Sequence, residues 1–212
     1  GSMAGNALRC MAKYLYDNHI VRKEEMTIET DKGTKTVRVY TTDGKVTSAC
    51  VDMGYAALDT TALHLNIPER QVVDYPVEIG GQSWNITCVD MGNPHCVVFC
   101  PRVDGVDVGR IGPQFEHASY FPDRINTEFI RVVNPSTIKM RVWERGSGET
   151  LACGTGACAV AVACILNGLT EDRVTVKLLG GELEIFWDRE VNQVYMTGPA
   201  AVVFDGEIDL EA

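Results

Sequence analysis

The pattern of apolar and polar positions opens with a helical segment. In "GNALRCMAKYLYDNH" the residues Leu8, Met11, Ala12 and Leu15 fall on one stripe at helical spacing, with Asn6 placed to cap the N-terminus. The period then changes. "EEMTIET", "TKTVRVYTT" and "GKVTSACVDMG" alternate as strands do, and the Asp31-Lys32-Gly33 and Asp43-Gly44 steps between them predict a meander of hairpins. "TTALHLNIPE" reads as an irregular linker. "YPVEIGGQSWNITCVDMGNPHCVVFC" predicts two strands around a Gly80-Gly81 turn, and "FPDRINTEFIRVVNPSTIKMRVWERG" alternates like a further strand pair. A second helix follows in "TGACAVAVACILNG". It is apolar on every side, so it is expected to run buried through the centre of a lobe. The remaining segment returns to hairpins. Many short strands with few helices predict an α+β fold built on mostly antiparallel sheet.

Two internal echoes add a symmetry. "CVDMG" occurs at 50–54 and again at 88–92, and "AGNALRCMAKYLYDN" (4–18) aligns without gaps onto "CGTGACAVAVACILN" (153–167). Each of the longer segments has a small residue, then Gly, then a helix ending in Asn, which predicts two related lobes.

Composition narrows the function classes. The 212 residues suit one large domain or two small ones, and 45% hydrophobic with 23% charged residues is ordinary for a globular chain. A formal net charge of −10 disfavours a nucleic-acid partner. No run approaches the roughly 18 apolar residues of a membrane span, and the start lacks a signal-peptide profile. Gly1 and Ser2 read as the scar of a cleaved tag. The eight cysteines are therefore expected as free thiols in a reducing, cytoplasmic setting. No CxxC pair occurs, so the spacing gives no support for zinc, and no metal or cofactor is expected.

Three segments carry candidate chemistry. Cys153 precedes Gly154-Thr155-Gly156 at the start of the apolar helix, where free N–H groups favour an anion and are expected to lower the thiol's pKa. In "MGNPHCVVF", Asn93 and His95 flank a stiffening Pro94, placed to grip a ligand or move a proton. In "VWERGSGET", Glu144 and Arg145 form an acid–base pair suited to a zwitterion, the Glu taking an ammonium and the Arg a carboxylate.

In order along the chain, "GNALRC", "MGNPHCV", "NTEFI", "WERGSGETLACGTGACA", "GGELEI" and "VYMTGPA" together resemble the diaminopimelate epimerase family, from Met3 to the end. The resemblance implies two pseudo-symmetric lobes, each a mostly antiparallel sheet curled around a central helix. It also implies cofactor-independent interconversion of LL- and meso-diaminopimelate by two cysteines on opposite faces of the α-carbon, in lysine and cell-wall precursor biosynthesis. By that matching Cys153 is the second-lobe catalytic thiol, with His95 beside the reacting centre. Gly154 and Thr155 hold the α-carboxylate, and Asn93, Asn126, Glu144 and Arg145 bind substrate. Gly5 and Asn6 match the first-lobe loop. The substrate is a small amino acid, and the family often pairs as homodimers.

Two departures qualify the match. The family places its other catalytic cysteine immediately before the "GN" of the first-lobe loop, where this chain has Ala4. The family chain also begins well upstream. The expectation is a shortened or engineered chain, inactive as written, with residues 1–54 as a partial first lobe to which 199–212 return, and 55–198 as the second lobe carrying Cys153. The alternatives are a related racemase with another substrate, a non-catalytic amino-acid-binding module, and, more weakly, a cysteine hydrolase using Cys153 and His95.

Overall fold

A computed structural model describes residues 4–210; the expected tag scar at Gly1 and Ser2 lies outside them. Chain order is α1 (Gly5–Asp17), β1 (Glu25–Thr30), β2 (Gly33–Thr42), β3 (Lys45–Gly54), β4 (Tyr75–Ile79), β5 (Gln82–Asp90), β6 (Pro94–Phe99), α2 (Val108–Glu116), β7 (Asn126–Asn134), β8 (Thr137–Glu144), β9 (Gly148–Thr150), α3 (Gly154–Leu166), β10 (Arg173–Leu178), β11 (Gly181–Asp188) and β12 (Gln193–Pro199). The fold is α+β, as the alternation predicts. The strands form one continuous mixed sheet in the order β1-β2-β3-β12-β11-β10-β8-β7-β6-β5-β4, with β9 paired to β8. Pairing is antiparallel except at β6–β7 and β8–β10.

The sheet curls around α3, which packs against strands on both sides of it: β5, β6, β7 and β8 on one, β10, β11 and β12 on the other. A helix so enclosed has no face for water, and every residue from Thr155 to Ile165 is buried. Helix α1 lies instead against β2, β3 and β12 and buries only Gly5, Leu8, Arg9 and Ala12, which leaves Met11 and Tyr14 exposed. Both helices contribute to one apolar core. A second core, built on Phe115, Phe129 and Ile86, lies between α2, the 60–75 connection and β4–β7.

Three expectations need correction. "YPVEIGGQSWNITCVDMGNPHCVVFC" forms three strands, not two, because "VDMGNP" turns the chain back once more. Helix α2, which the sequence reading omitted, forms despite Pro113; the Asp107 carboxylate caps it by accepting from the Arg110 amide at 3.3 Å, and Ile111 and Phe115 bury its inner face. Asn6 is not the cap of α1: Ala4 holds that position, with no side-chain cap bond, and Asn6 lies within the helix.

Candidate active site

The echo between 4–18 and 153–167 has a three-dimensional counterpart. Both segments fold as 13-residue helices starting on glycine, with Ala4 and Cys153 at the N-caps. Both end on an asparagine whose side-chain amide donates to a carbonyl four residues back, Asn18 to Tyr14 and Asn167 to Ala163, each at 2.8 Å. The two starts meet across Met196, which is fully buried on β12. A Cβ on Gly5 would stand 2.3 Å from Met196 Cε, and one on Gly154 would stand 3.2 Å from its Sδ. Glycine at both helix starts leaves room for the Met196 side chain, which a Cβ at either position would displace.

They open onto a shared cavity of about 390 Å³. Ala4, Gly5, Asn6 and Arg9 line it from α1, Ala152, Cys153, Gly154 and Thr155 from α3, and Asn93 and Glu144 from the neighbouring loops. The first-turn amides of a helix have no internal acceptor, so the cavity receives two sets of donors and two positive dipole ends. Arg9 adds a guanidinium; it is 9% exposed, held by bonds from Nε to the Pro199 carbonyl at 3.2 Å and from Nη1 to Met196 Sδ at 3.9 Å, and burial pulls its pKa below the ordinary value. This arrangement suits a small anion or zwitterion.

Cys153 Sγ accepts from the Gly156 amide at 3.3 Å and lies 3.6 Å from the Thr155 hydroxyl. The helix start was expected to lower this thiol's pKa, and the opposite holds. Burial, followed by the charges of Glu128 and Glu144, pushes Cys153 up to about 12 against the smaller pull of Thr155 and Gly156. Desolvation and two nearby carboxylates outweigh a helix dipole, so the resting group is a neutral thiol.

His95 is wholly buried. Its Nδ1 meets Glu128 Oε1 at 2.7 Å and its Nε2 meets Asn93 Oδ1 at 3.1 Å. Glu128 is also wholly buried, and its Oε2 has no hydrogen-bond partner. His95, Glu128 and Cys153 each offer a donor atom within 4.8 Å of the others. Asn126 works as a stitch: it donates to the Pro94 carbonyl at 2.8 Å and accepts from the Arg145 amide at 2.9 Å, tying the 93–95 turn to the end of β8. Glu144 faces the cavity and accepts from the Thr150 hydroxyl. The guanidinium of Arg145 donates to the Asp123 carbonyl at 3.1 Å, so Glu144 and Arg145 part company in space although they adjoin in sequence.

The sequence reading missed Arg9 and Glu128. Arg9 carried a signal, a cation one turn from Gly5 beside the apolar stripe of Leu8 and Ala12. Glu128 carried none in its local pattern, since the complete burial of its run "NTEFI" is a result of tertiary packing.

The fold superposes on that of a probable proline racemase from Agrobacterium radiobacter K84 with a TM-score of 0.67 at 13% identity, covering 99% of this chain and 68% of that one. Within that architecture the sequence is more specific. The profile of the diaminopimelate epimerase family matches residues 87–203. A diaminopimelate epimerase of Acetivibrio thermocellus is 50% identical over 208 residues, covering 98% of this chain and 74% of that protein. One from Desulfovibrio desulfuricans is 51% identical over 211 residues, covering 97% and 74%. The chain belongs to the diaminopimelate epimerase family. No helix among the described residues is long and apolar enough to cross a membrane.

Proposed function

We propose that the cavity between the starts of α1 and α3 binds diaminopimelate and handles the proton on its α-carbon, the chemistry that converts the LL to the meso isomer for lysine and cell-wall precursor biosynthesis. The observation that carries this reading is the convergence of the two helix N-termini on one cavity with positions 4 and 153 as their caps. In the substrate the α-proton is weakly acidic, and the negative charge that develops on its removal needs donors already in place. The amides of Gly5 and Asn6 on one side, and of Gly154 and Thr155 on the other, supply them at the α-carboxylate. Arg9 adds a full positive charge on the same wall.

Cys153 acts as the acid from its side. As a buried thiol it holds the proton to be delivered to the carbanion, and the resulting thiolate is received by the Gly156 amide and the Thr155 hydroxyl. His95, fixed through Glu128 and Asn93, supports the reacting centre, while Asn93 and Glu144 face the bound amino acid. Asn126 and Arg145 shape the loop that carries Glu144. Position 4, opposite, carries no proton in this chain because the residue is Ala4. With Cys153 a thiol, the unaltered chain therefore lacks the opposing base that removes the α-proton, and it neither exchanges that proton nor inverts the centre. The division into a first lobe, 1–54 with 199–212, and a second lobe, 55–198, is part of this proposal. Assembly as a homodimer and a cytoplasmic location belong to the same proposal. An acidic chain of net charge −10 fits a small-molecule partner better than a nucleic acid.

Calorimetry with LL- and meso-diaminopimelate tests this reading. Binding of at least one isomer is expected, and Glu144→Gln is expected to weaken it about 10-fold, the effect of one charged contact. If a folded chain binds neither isomer, the assignment fails. Binding with no exchange of the α-proton even in Ala4→Cys would favour the second reading, a non-catalytic amino-acid-binding module, for which the absence of a thiol at position 4 is the specific support.

A further inference from the structure

The spacing of cysteines along the chain gives no hint of a metal site, yet the fold assembles a donor set that no single segment contains. His95 from β6, Glu128 from β7 and Cys153 from the start of α3 each present one ligand atom within 4.8 Å of the others, and all three residues are buried. Around a tetrahedral zinc ion, N, O and S donors lie roughly 3.3–3.6 Å apart, so closing on such an ion takes movements of roughly 1 Å. Glu128 Oε2 is the second, independent sign. It is a carboxylate oxygen in a fully buried residue with no hydrogen-bond partner, an expensive state that a bound cation relieves.

We propose that His95, Glu128 and Cys153 form a binding site for a divalent transition-metal ion of the zinc type, entered from the cavity that Cys153 lines. An imidazole, a carboxylate and a thiolate are the donors zinc takes, and three protein ligands leave a fourth position facing the cavity. The Cys153 S–H bond breaks, the proton on the His95 nitrogen that takes the metal leaves as well, both pass to solvent, and S–Zn, N–Zn and O–Zn bonds form with no change of oxidation state. One thiolate and one carboxylate offset the two positive charges, so no net charge is buried. With one ring nitrogen of His95 on the ion, the other keeps an oxygen partner, as metal-ligating histidines do. Binding of the ion is independent of the epimerase reading. Its consequence, that a loaded chain has no proton on Cys153 to transfer and is inhibited, rests on that reading.

The test is titration of the reduced chain with zinc chloride by calorimetry, in two buffers of different ionisation enthalpy and without substrate. The expected result is one zinc per chain at this site with release of protons from Cys153 and His95. Affinity is expected to fall by at least about 10-fold in both Cys153→Ser and Glu128→Gln, and to be unchanged in Cys10→Ser, which alters an exposed thiol. Cobalt(II) on the unsubstituted chain supplies a readout that needs no variant, a thiolate-to-cobalt charge-transfer absorption that 1 equivalent of zinc removes. Absence of that band, absence of zinc binding, or zinc affinity indifferent to both Cys153→Ser and Glu128→Gln overturns the site. Since no substrate is present, failure here leaves the epimerase reading standing, and failure of diaminopimelate to bind leaves the metal site standing.

Discussion

Glu116 shows how one buried carboxylate organises a loop. It is 4% exposed at the end of α2, and it accepts from Trp143 Nε1 at 2.7 Å, from the Gly146 amide at 3.0 Å and from Arg124 at 3.4 Å. Burial alone would raise its pKa. The bonds from Trp143 and Gly146, the electrostatic influence of the neighbouring His117 and the bond from Arg124 overcome that and hold it below the ordinary carboxylate value. A group depressed in the folded state contributes stability that is present above its unfolded pKa of about 4.3 and is lost as pH falls through the folded value. Urea midpoints measured from neutral pH down to about pH 3 are therefore expected to fall less steeply in Glu116→Gln than in the unaltered chain; parallel profiles would contradict this. Trp143→Phe, which removes one donor to this carboxylate, is expected to cost about 1–3 kcal/mol at neutral pH, read from the same urea curves. At this scale the sequence was only partly legible. Cys153, His95, Asn93 and Glu144 stood out because each lies in a motif dense in turn formers. Glu128 did not, because what makes it notable is the distance in sequence between residues 95, 128 and 153, which no local spacing reveals. The protonation of Cys153 was misjudged for a related reason: the helix start is readable from the sequence, whereas the burial of the thiol, and after it the charges of Glu128 and Glu144, arrive through tertiary packing.

The two helices of the internal echo differ in what they demand of their surroundings. Helix α3 is buried on all sides, so a charge on it has no route to solvent. Ala161→Asp is expected to abolish cooperative folding, since an unpaired buried carboxylate costs several kcal/mol against a total stability of about 5–15 kcal/mol. Tyr14→Ala on α1, where the side chain is 62% exposed, is expected to change stability by no more than about 0.5 kcal/mol. Thermal denaturation followed by circular dichroism distinguishes the two. The burial of α3 was readable because an uninterrupted run of Ala, Val, Cys, Ile and Leu leaves no polar stripe. Helix α2 was not readable: Gly109, Gly112 and Pro113 are poor helix formers, and the segment is helical because Ile111 and Phe115 pack beneath it and Asp107 caps it. Asn6 was misassigned as a cap because it is a good capping residue, yet Ala4 holds the cap and leaves the first-turn amides of α1 to the cavity.

For the molecule as a whole, the alternating strands predicted antiparallel sheet, and two parallel joints, β6–β7 and β8–β10, are what the pattern could not supply. Those joints let one sheet pass around α3 and present Cys153 to the same cavity as the start of α1. The central claim is that this cavity moves a proton at an α-carbon from two opposed positions, 4 and 153. The direct measurement is proton exchange and inversion of diaminopimelate in deuterium oxide, followed by NMR and chiral chromatography. The unaltered chain, Ala4→Cys, and Ala4→Cys combined with Cys153→Ser are compared under chelator. The expected result is neither exchange nor inversion in the unaltered chain, inversion with deuterium incorporation in Ala4→Cys, and loss of inversion when Cys153 is also replaced. Inversion by the unaltered chain, inversion that survives Cys153→Ser, or an Ala4→Cys chain that binds diaminopimelate and shows neither exchange nor inversion would contradict the account.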